Sequence, residues 1–334
     1  MLALLVAALA VSEGDLVLRD FRFASGETLP ELRLHYRTLG TPGSPAVLVL
    51  HGTTGSGAQF LGESFAGQLF GPGQPLDASK HFVILPDGIG HGGSSKPSDG
   101  LRARFPRYGY ADMVEAQRRL LIEKLRVDHL RLIVGTSMGC MHSWIWAEAH
   151  PKSMDAILAL ACLPVQIAGR NRVLRKLAVD SIRSDPAWNG GEYQAPPAAG
   201  LRGALEVLFF MGSAPLPLQA QAPSRDAADQ FEAEWMARRL ASTDANDFLY
   251  AFEASRDYDP SAGLEKVEAA VTAVNSADDE VNPPELGILE REIKRVKRGK
   301  AVVLPIGPQT RGHGTHTNAA AWKEHLLDLL ARSK

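Results

Sequence analysis

Residues 132–146, LIVGTSMGCMHSWIW, are apolar up to a break at Gly135-Thr136-Ser137-Met138-Gly139 and apolar again beyond it. This reads as a buried strand, a tight turn with a serine at its tip, and a helix. In such a turn the serine is forced into a strained backbone conformation and its hydroxyl stands above the sheet. A side chain at either flanking glycine would strike the helix or the neighbouring strand. Ser137 is therefore the candidate nucleophile. A Gly-x-Ser-x-Gly pentapeptide arises by chance in roughly one chain in five of this length and composition, so the weight rests on its setting between strand and helix.

The segments around it supply the rest of a sheet. Residues 46–50 and 81–85 are short continuous apolar runs, the pattern of parallel strands buried on both faces. Each leads into a glycine-rich loop, 51–57 and 87–93, at the strand end where open α/β sheets take their ligands. Neither loop has dinucleotide or Walker spacing, so nucleotide binding is set aside and no cofactor is expected. Residues 16–23 and 32–39 alternate apolar with polar around Ala24-Ser25-Gly26-Glu27, an edge hairpin. Residues 111–125 form an amphipathic helix leading into the strand before Ser137. A further buried strand is expected at 156–160, then at 269–274 and 301–304, with a closing helix over 319–330. Residues 164–263 hold no clear buried strand but carry Pro196-Pro197, the prolines of 215–217 and helical patterns such as 226–240. This is a helical cap inserted into a sheet domain made of 13–163 and 264–334. The apolar run 205–211 would line an acyl pocket under that cap or, more commonly for such a stripe, belong to the cap's own core.

Composition narrows the function classes. The chain has 334 residues, 45% hydrophobic and 22% charged, with a formal net charge of −2. That is enough for one large α/β domain with an insertion, and without clustered Lys and Arg it excludes nucleic acid as the main partner. The basic patch at 294–300 reads as a solvated face. Cys140 and Cys162 cannot build a disulfide framework, lack metal-ligand spacing, and read as small core residues. Residues 2–11 are an unbroken apolar run, too short for stable membrane insertion and without the basic start of a signal peptide. Small residues at Ala8, Ala10 and Ser12 nevertheless suit a cleavage site. Residues 1–12 therefore read equally as a signal peptide of an exported protein or as the frayed start of a cytoplasmic one.

A serine hydroxyl needs an imidazole to take its proton, and the imidazole needs a carboxylate to hold its tautomer. The strand at 269–274 runs into Asn275-Ser276-Ala277-Asp278-Asp279-Glu280, and the strand at 301–304 leads to Gly312-His313-Gly314-Thr315-His316. Singly, a carboxylate after a strand is a helix cap and a histidine among glycines is an exposed loop residue. Together, in the order Ser, Asp, His at three strand ends, they point to a triad of Ser137, Asp279 and His313. Asp279 is preferred to Asp278 because it stands four residues before Pro283. His313 is preferred to His316 because it follows Gly312 and leaves loop enough to reach back over the sheet; His316 then caps the last helix or lines the site. The N–H groups of Thr53 and Met138 are the candidate oxyanion donors. No metal is required, and the remaining histidines (His35, His81, His91, His129, His142, His150, His325) lack ligand spacing and read as structural or exposed.

Several segments carry a family resemblance: Phe23-Ala24-Ser25-Gly26-Glu27-Thr28-Leu29 with His35-Tyr36-Arg37-Thr38-Leu39-Gly40, Asp112-Met113-Val114-Glu115-Ala116-Gln117, the GTSMG turn, Asp185-Pro186-Ala187-Trp188-Asn189-Gly190-Gly191, residues 279–284 and Gly312-His313. In these the chain resembles the homoserine O-acetyltransferase branch of the α/β-hydrolase superfamily over nearly its whole length. The resemblance implies an α/β-hydrolase fold with a mostly parallel central sheet flanked by helices, the same triad, an inserted helical cap over the site, and a homodimer joined through that cap. There are departures. Members that acetylate homoserine usually show GGSMGGMQ where this chain has Gly135-Thr136-Ser137-Met138-Gly139-Cys140-Met141-His142, and GHD where it has Gly312-His313-Gly314. The arginine that grips their amino-acid substrate corresponds to one of Arg170, Arg172 and Arg175. The expectation is a cofactor-independent enzyme that forms an acyl-Ser137 intermediate and hydrolyses a small carboxylic ester. Acetyl transfer from acetyl-CoA to an amino-acid hydroxyl is the alternative, and a non-catalytic ligand-binding protein on the same fold is the least favoured reading.

Overall fold

The computed structural model describes residues 10–333. Its eight strands are β1 (Val11–Arg22), β2 (Thr28–Leu39), β3 (Ala46–Leu50), β4 (Phe82–Pro86), β5 (Leu132–Thr136), β6 (Ala156–Leu160), β7 (Ala270–Ser276) and β8 (Gly299–Leu304). They form one sheet in the order β1-β2-β4-β3-β5-β6-β7-β8. β1 and β2 make the expected hairpin, and β2 joins the rest by antiparallel pairing with β4; every pairing beyond β4 is parallel. The hairpin begins earlier than the sequence pattern suggested. Val11 and Ser12, read as the end of a leader, pair with Leu39 and Thr38, while residues 1–9 of that stretch lie outside the described residues.

Among the described residues ten α-helices follow the strands: α1 (Ala66–Leu69), α2 (Tyr110–Arg119), α3 (Met138–Ala149), α4 (Gly169–Ser184), α5 (Ala198–Gly212), α6 (Pro215–Gln221), α7 (Arg225–Ser242), α8 (Ala245–Glu253), α9 (Ile288–Glu292) and, after β8, α10 (Lys323–Arg332). The sheet is buried on both faces because its central strands alternate between two layers. Along β3, Leu48 and Leu50 pack with Met113 of α2 and Trp144 of α3, whereas Val47 and Val49 pack with Leu69 of α1 and Leu326 of α10. Each such side chain contributes roughly 1.5–3 kcal/mol by leaving water. This explains why these strands read as unbroken apolar runs.

Five helices, α4 to α8, fall between β6 and β7. They carry their own core of Ala178, Ile182, Leu201, Leu205, Phe248 and Phe252. The Asp185 segment ties α4 to α5, since the Asp185 carboxylate accepts from the N–H groups of Ala187 (2.9 Å) and Gly200 (2.7 Å). Among the described residues no helix is long and apolar enough to cross a membrane.

Candidate active site

Parallel pairing sets the site. β5 lies between β3 and β6, with Thr136 opposite Leu160, so the loops after all three strands emerge at one edge of the sheet. The chain turns there within one residue: Ser137 has φ 52° and ψ −108°, a region that L-residues avoid, and α3 starts at Met138. Two close approaches make the turn possible. A Cβ on Gly139 would lie 2.2 Å from the Leu50 carbonyl oxygen, and one on Gly135 2.3 Å from the Gly139 carbonyl oxygen. The turn is held by Ser137 N–H donating to Leu160 (2.8 Å) and Gly139 N–H donating to His51 (2.9 Å).

The Ser137 hydroxyl lies 2.8 Å from His313 Nε2, and His313 Nδ1 lies 2.9 Å from Asp279 Oδ2. Asp279 is buried, and burial by itself pushes its carboxyl up. The charge and hydrogen bond of His313, with the N–H groups of Val281 and Asn282, outweigh that and hold it below the usual carboxylate range. The arrangement can pass the serine proton to an imidazole whose new charge faces a carboxylate.

The paired candidates have separate surroundings. Asp278 faces away from the ring: its Oδ2 accepts from Gly312 N–H (2.9 Å) and its Oδ1 from the Ser276 hydroxyl. It thereby anchors the backbone that presents His313. His316 packs edge-on against His313 with ring centres 5.3 Å apart. Asn282, which sequence reasoning missed, donates to Asp279 Oδ2 (3.3 Å) and to Ala161 (3.1 Å), joining the acid loop to the end of β6; nothing in a lone asparagine before two prolines signals that bridge. Among the described residues, neither Thr53 N–H nor Met138 N–H donates to a protein acceptor.

One sequence reading is corrected. Cys140 and Cys162 are not separate core residues but a disulfide, with Cα atoms 5.9 Å apart and a sequence separation of 22. Two cysteines are too few for a framework, yet the β5–β6 register brings the first turn of α3 beside the end of β6, and this juxtaposition is invisible in the spacing. The bridge lies directly behind the nucleophile turn.

Ser137 and His313 open into a cavity of about 380 Å³ beneath α5, α6 and α7. The apolar stripe read at 205–211 serves both roles: Leu205 belongs to the cap core, Phe209 lines this cavity, and Leu208 and Met211 pack on the core while also lining the cavity. Among the described residues, three arginines line it (Arg175, Arg239 and Arg311) and no carboxylate does. Of the three cap arginines considered from sequence, Arg170 is exposed and pairs with Glu280, Arg172 does not reach the cavity, and Arg175 is buried in its wall. Arg175 donates to Asn171 Oδ1 (2.9 Å) and Ser255 Oγ (3.1 Å). The buried Tyr110 hydroxyl sits beside the Thr53 and Ser255 hydroxyls and the Arg175 guanidinium. A larger cavity of about 670 Å³ opens beside α8 and contains no member of the triad.

Three comparisons with known proteins bear on this geometry. A family model described as "alpha/beta hydrolase fold" matches residues 45–284. The chain is 33% identical to a homoserine O-acetyltransferase of Haloferax prahovense, covering 78% of this chain and 73% of the relative. Among solved structures it superposes on an acetylester hydrolase from Corynebacterium glutamicum with a TM-score of 0.84 at 22% identity, over 96% of both chains. It superposes on homoserine O-acetyltransferase from Bacillus anthracis with a TM-score of 0.83 at 21% identity, over 96% of this chain and 97% of that one.

Proposed function

The chain belongs to the α/β-hydrolase fold family, in its homoserine O-acetyltransferase-like branch, and from that premise we propose that it hydrolyses a small carboxylic ester through an acyl-Ser137 intermediate. The observation that carries this reading is the line of contacts from the Ser137 hydroxyl through His313 to Asp279, opening on the apolar-walled cavity. His313 Nε2 takes the serine proton as Oγ attacks the ester carbonyl. The tetrahedral oxyanion is held by the Thr53 and Met138 N–H groups, and its collapse expels the alcohol with the proton from His313. Water then repeats the sequence on the acyl-serine and releases the acid. Asp279 stays ionised throughout and stabilises the imidazolium. Gly314 in place of an acid, with Thr136 and Cys140 beside the nucleophile, departs from the pattern of the transferases and supports water as the acceptor.

A second reading has one observation in its favour. Arg175, buried in the cavity wall, is a fixed cation suited to gripping the carboxylate of an amino-acid acceptor, as acetyl transfer from acetyl-CoA to homoserine requires. The two readings part in one experiment, in which acetyl-CoA or p-nitrophenyl acetate is supplied with and without homoserine while free thiol, nitrophenol and O-acetylhomoserine are followed. Ester cleavage indifferent to homoserine supports hydrolysis. Thiol release that requires homoserine and matches the acetylhomoserine formed would overturn it.

A further inference from the structure

His316 is a second imidazole in the same cavity, and the triad does not use it. It lies in the turn Gly314–Thr317, lines the catalytic cavity, and also borders a separate cavity of about 10 Å³ behind Asp279. Its Nδ1 is buried and has no hydrogen-bond partner among the described residues. Asn275 Oδ1 is also buried without a partner, and Asn275 lines the same small cavity together with Ser276 and Thr315. A space of roughly 10–15 Å³ with two to four polar neighbours is what one buried water requires.

We propose that His316 orients the attacking water during deacylation: a buried water links its Nδ1–H to Asn275 Oδ1, fixing the tautomer in which Nε2 offers a lone pair to the catalytic cavity. This rests on the acyl-serine reading above. The attacking water then has two acceptors. One O–H points at His313 Nε2, which takes that proton as the oxygen bonds to the acyl carbon. The other O–H donates to His316 Nε2 and stays on the oxygen. The oxyanion collapses, the carbon–Oγ bond breaks, His313 returns its proton to Ser137, and the carboxylic acid leaves. Burial, with the neighbouring His313, pushes the His316 pKa down to about 3, so the lone pair remains free at neutral pH. Because nothing in acylation calls for this water, the effect of losing His316 falls on deacylation.

A packing role alone would be met by any flat ring of similar size, so His316→Phe separates the two. The assay is p-nitrophenyl acetate turnover, with acid-quenched samples read by mass for acetyl on Ser137 and the nitrophenol burst read optically. The activated leaving group keeps acylation fast. His316→Phe is expected to keep the burst rate, slow deacylation by about 10- to 100-fold and accumulate acetyl-Ser137, and His316→Asn, which retains an acceptor oxygen, to recover part of the loss. If the Phe ring loosens the fold, Asn275→Leu removes the water's acceptor and should slow deacylation in the same sense. Unchanged deacylation in these variants, or acylation and deacylation falling by one common factor, would overturn the proposal and leave His316 as packing for His313. Absence of acetyl on Ser137 in every protein, wild type included, would instead overturn the acyl-serine reading on which the proposal stands.

Discussion

Mild acid should weaken this fold before most of its carboxylates are protonated. His51, His91 and His142 are buried behind the loop that carries Thr53, with the His51 and His91 ring centres 5.1 Å apart. His51 donates from Nδ1 to the Gly52 carbonyl (2.8 Å) and accepts at Nε2 from Gly88 N–H (2.9 Å), so it holds the loop only as the neutral ring. Burial lowers all three pKa values, reaching about 3 for His91, with neighbouring imidazoles adding to the effect for His91 and His142. A base whose folded pKa lies below its unfolded value of about 6.5 binds fewer protons when folded. Its stabilisation is complete above 6.5 and is lost as pH falls towards the folded value. For His91 the loss between pH 7.5 and pH 5 comes to about 2 kcal/mol, and His316, also at about 3, adds about 2 kcal/mol more. That is a large part of a typical stability of roughly 5–15 kcal/mol. Asp247, pushed up to about 6 by burial, works the other way and offsets about 1 kcal/mol of that loss over the same interval, so urea unfolding at the two pH values should give free energies about 3 kcal/mol apart, and His91→Gln should shrink the gap by about 2 kcal/mol. A difference below about 1 kcal/mol, or a gap unchanged in His91→Gln, would refute the reasoning.

Ser137→Ala is expected to abolish turnover and fluorophosphonate labelling, while Ser137→Gly, free to adopt the positive φ, should also unfold at higher urea by about 1 kcal/mol; labelling of either variant at the wild-type rate would reassign the nucleophile. Asp279→Asn should lower kcat by roughly 10⁴-fold through the wrong imidazole tautomer, and Asp278→Asn, which touches only the Gly312 backbone and Ser276, by far less; steady-state kinetics showing the reverse order would exchange their roles. Arg175→Met should raise KM about tenfold or more for esters that carry a carboxylate and leave neutral esters unaffected, which parallel KM measurements on the two ester classes test. Cys162→Ala opens a loop of 22 residues and should lower stability by about 3 kcal/mol in urea; equal midpoints for the oxidised wild type and the variant would count against the bridge.

Local pattern determined a good deal here. The nucleophile turn was legible because a strained serine, two glycines and the periodicity change from strand to helix are all encoded within fifteen residues. The central strands were legible because burial on both faces leaves β3, β4 and β6 wholly apolar, and the order of the strands along the chain carried Asp279 and His313 to the same edge as Ser137. What stayed ambiguous depended on neighbours distant in sequence. Asp278 and Asp279 are chemically identical, and only the turn after β7 decides which faces the ring and which takes the Gly312 N–H. Arg175 rather than Arg170 or Arg172 enters the cavity because α4 packs on α5 and α8 in one rotation. The Cys140–Cys162 bridge exists because two parallel strands end side by side, and His316 borders the same small cavity as an asparagine forty-one positions earlier. Periodicity reports which face of an element is buried, but the partner across that face is set by sheet register and helix rotation, which only the folded chain contains.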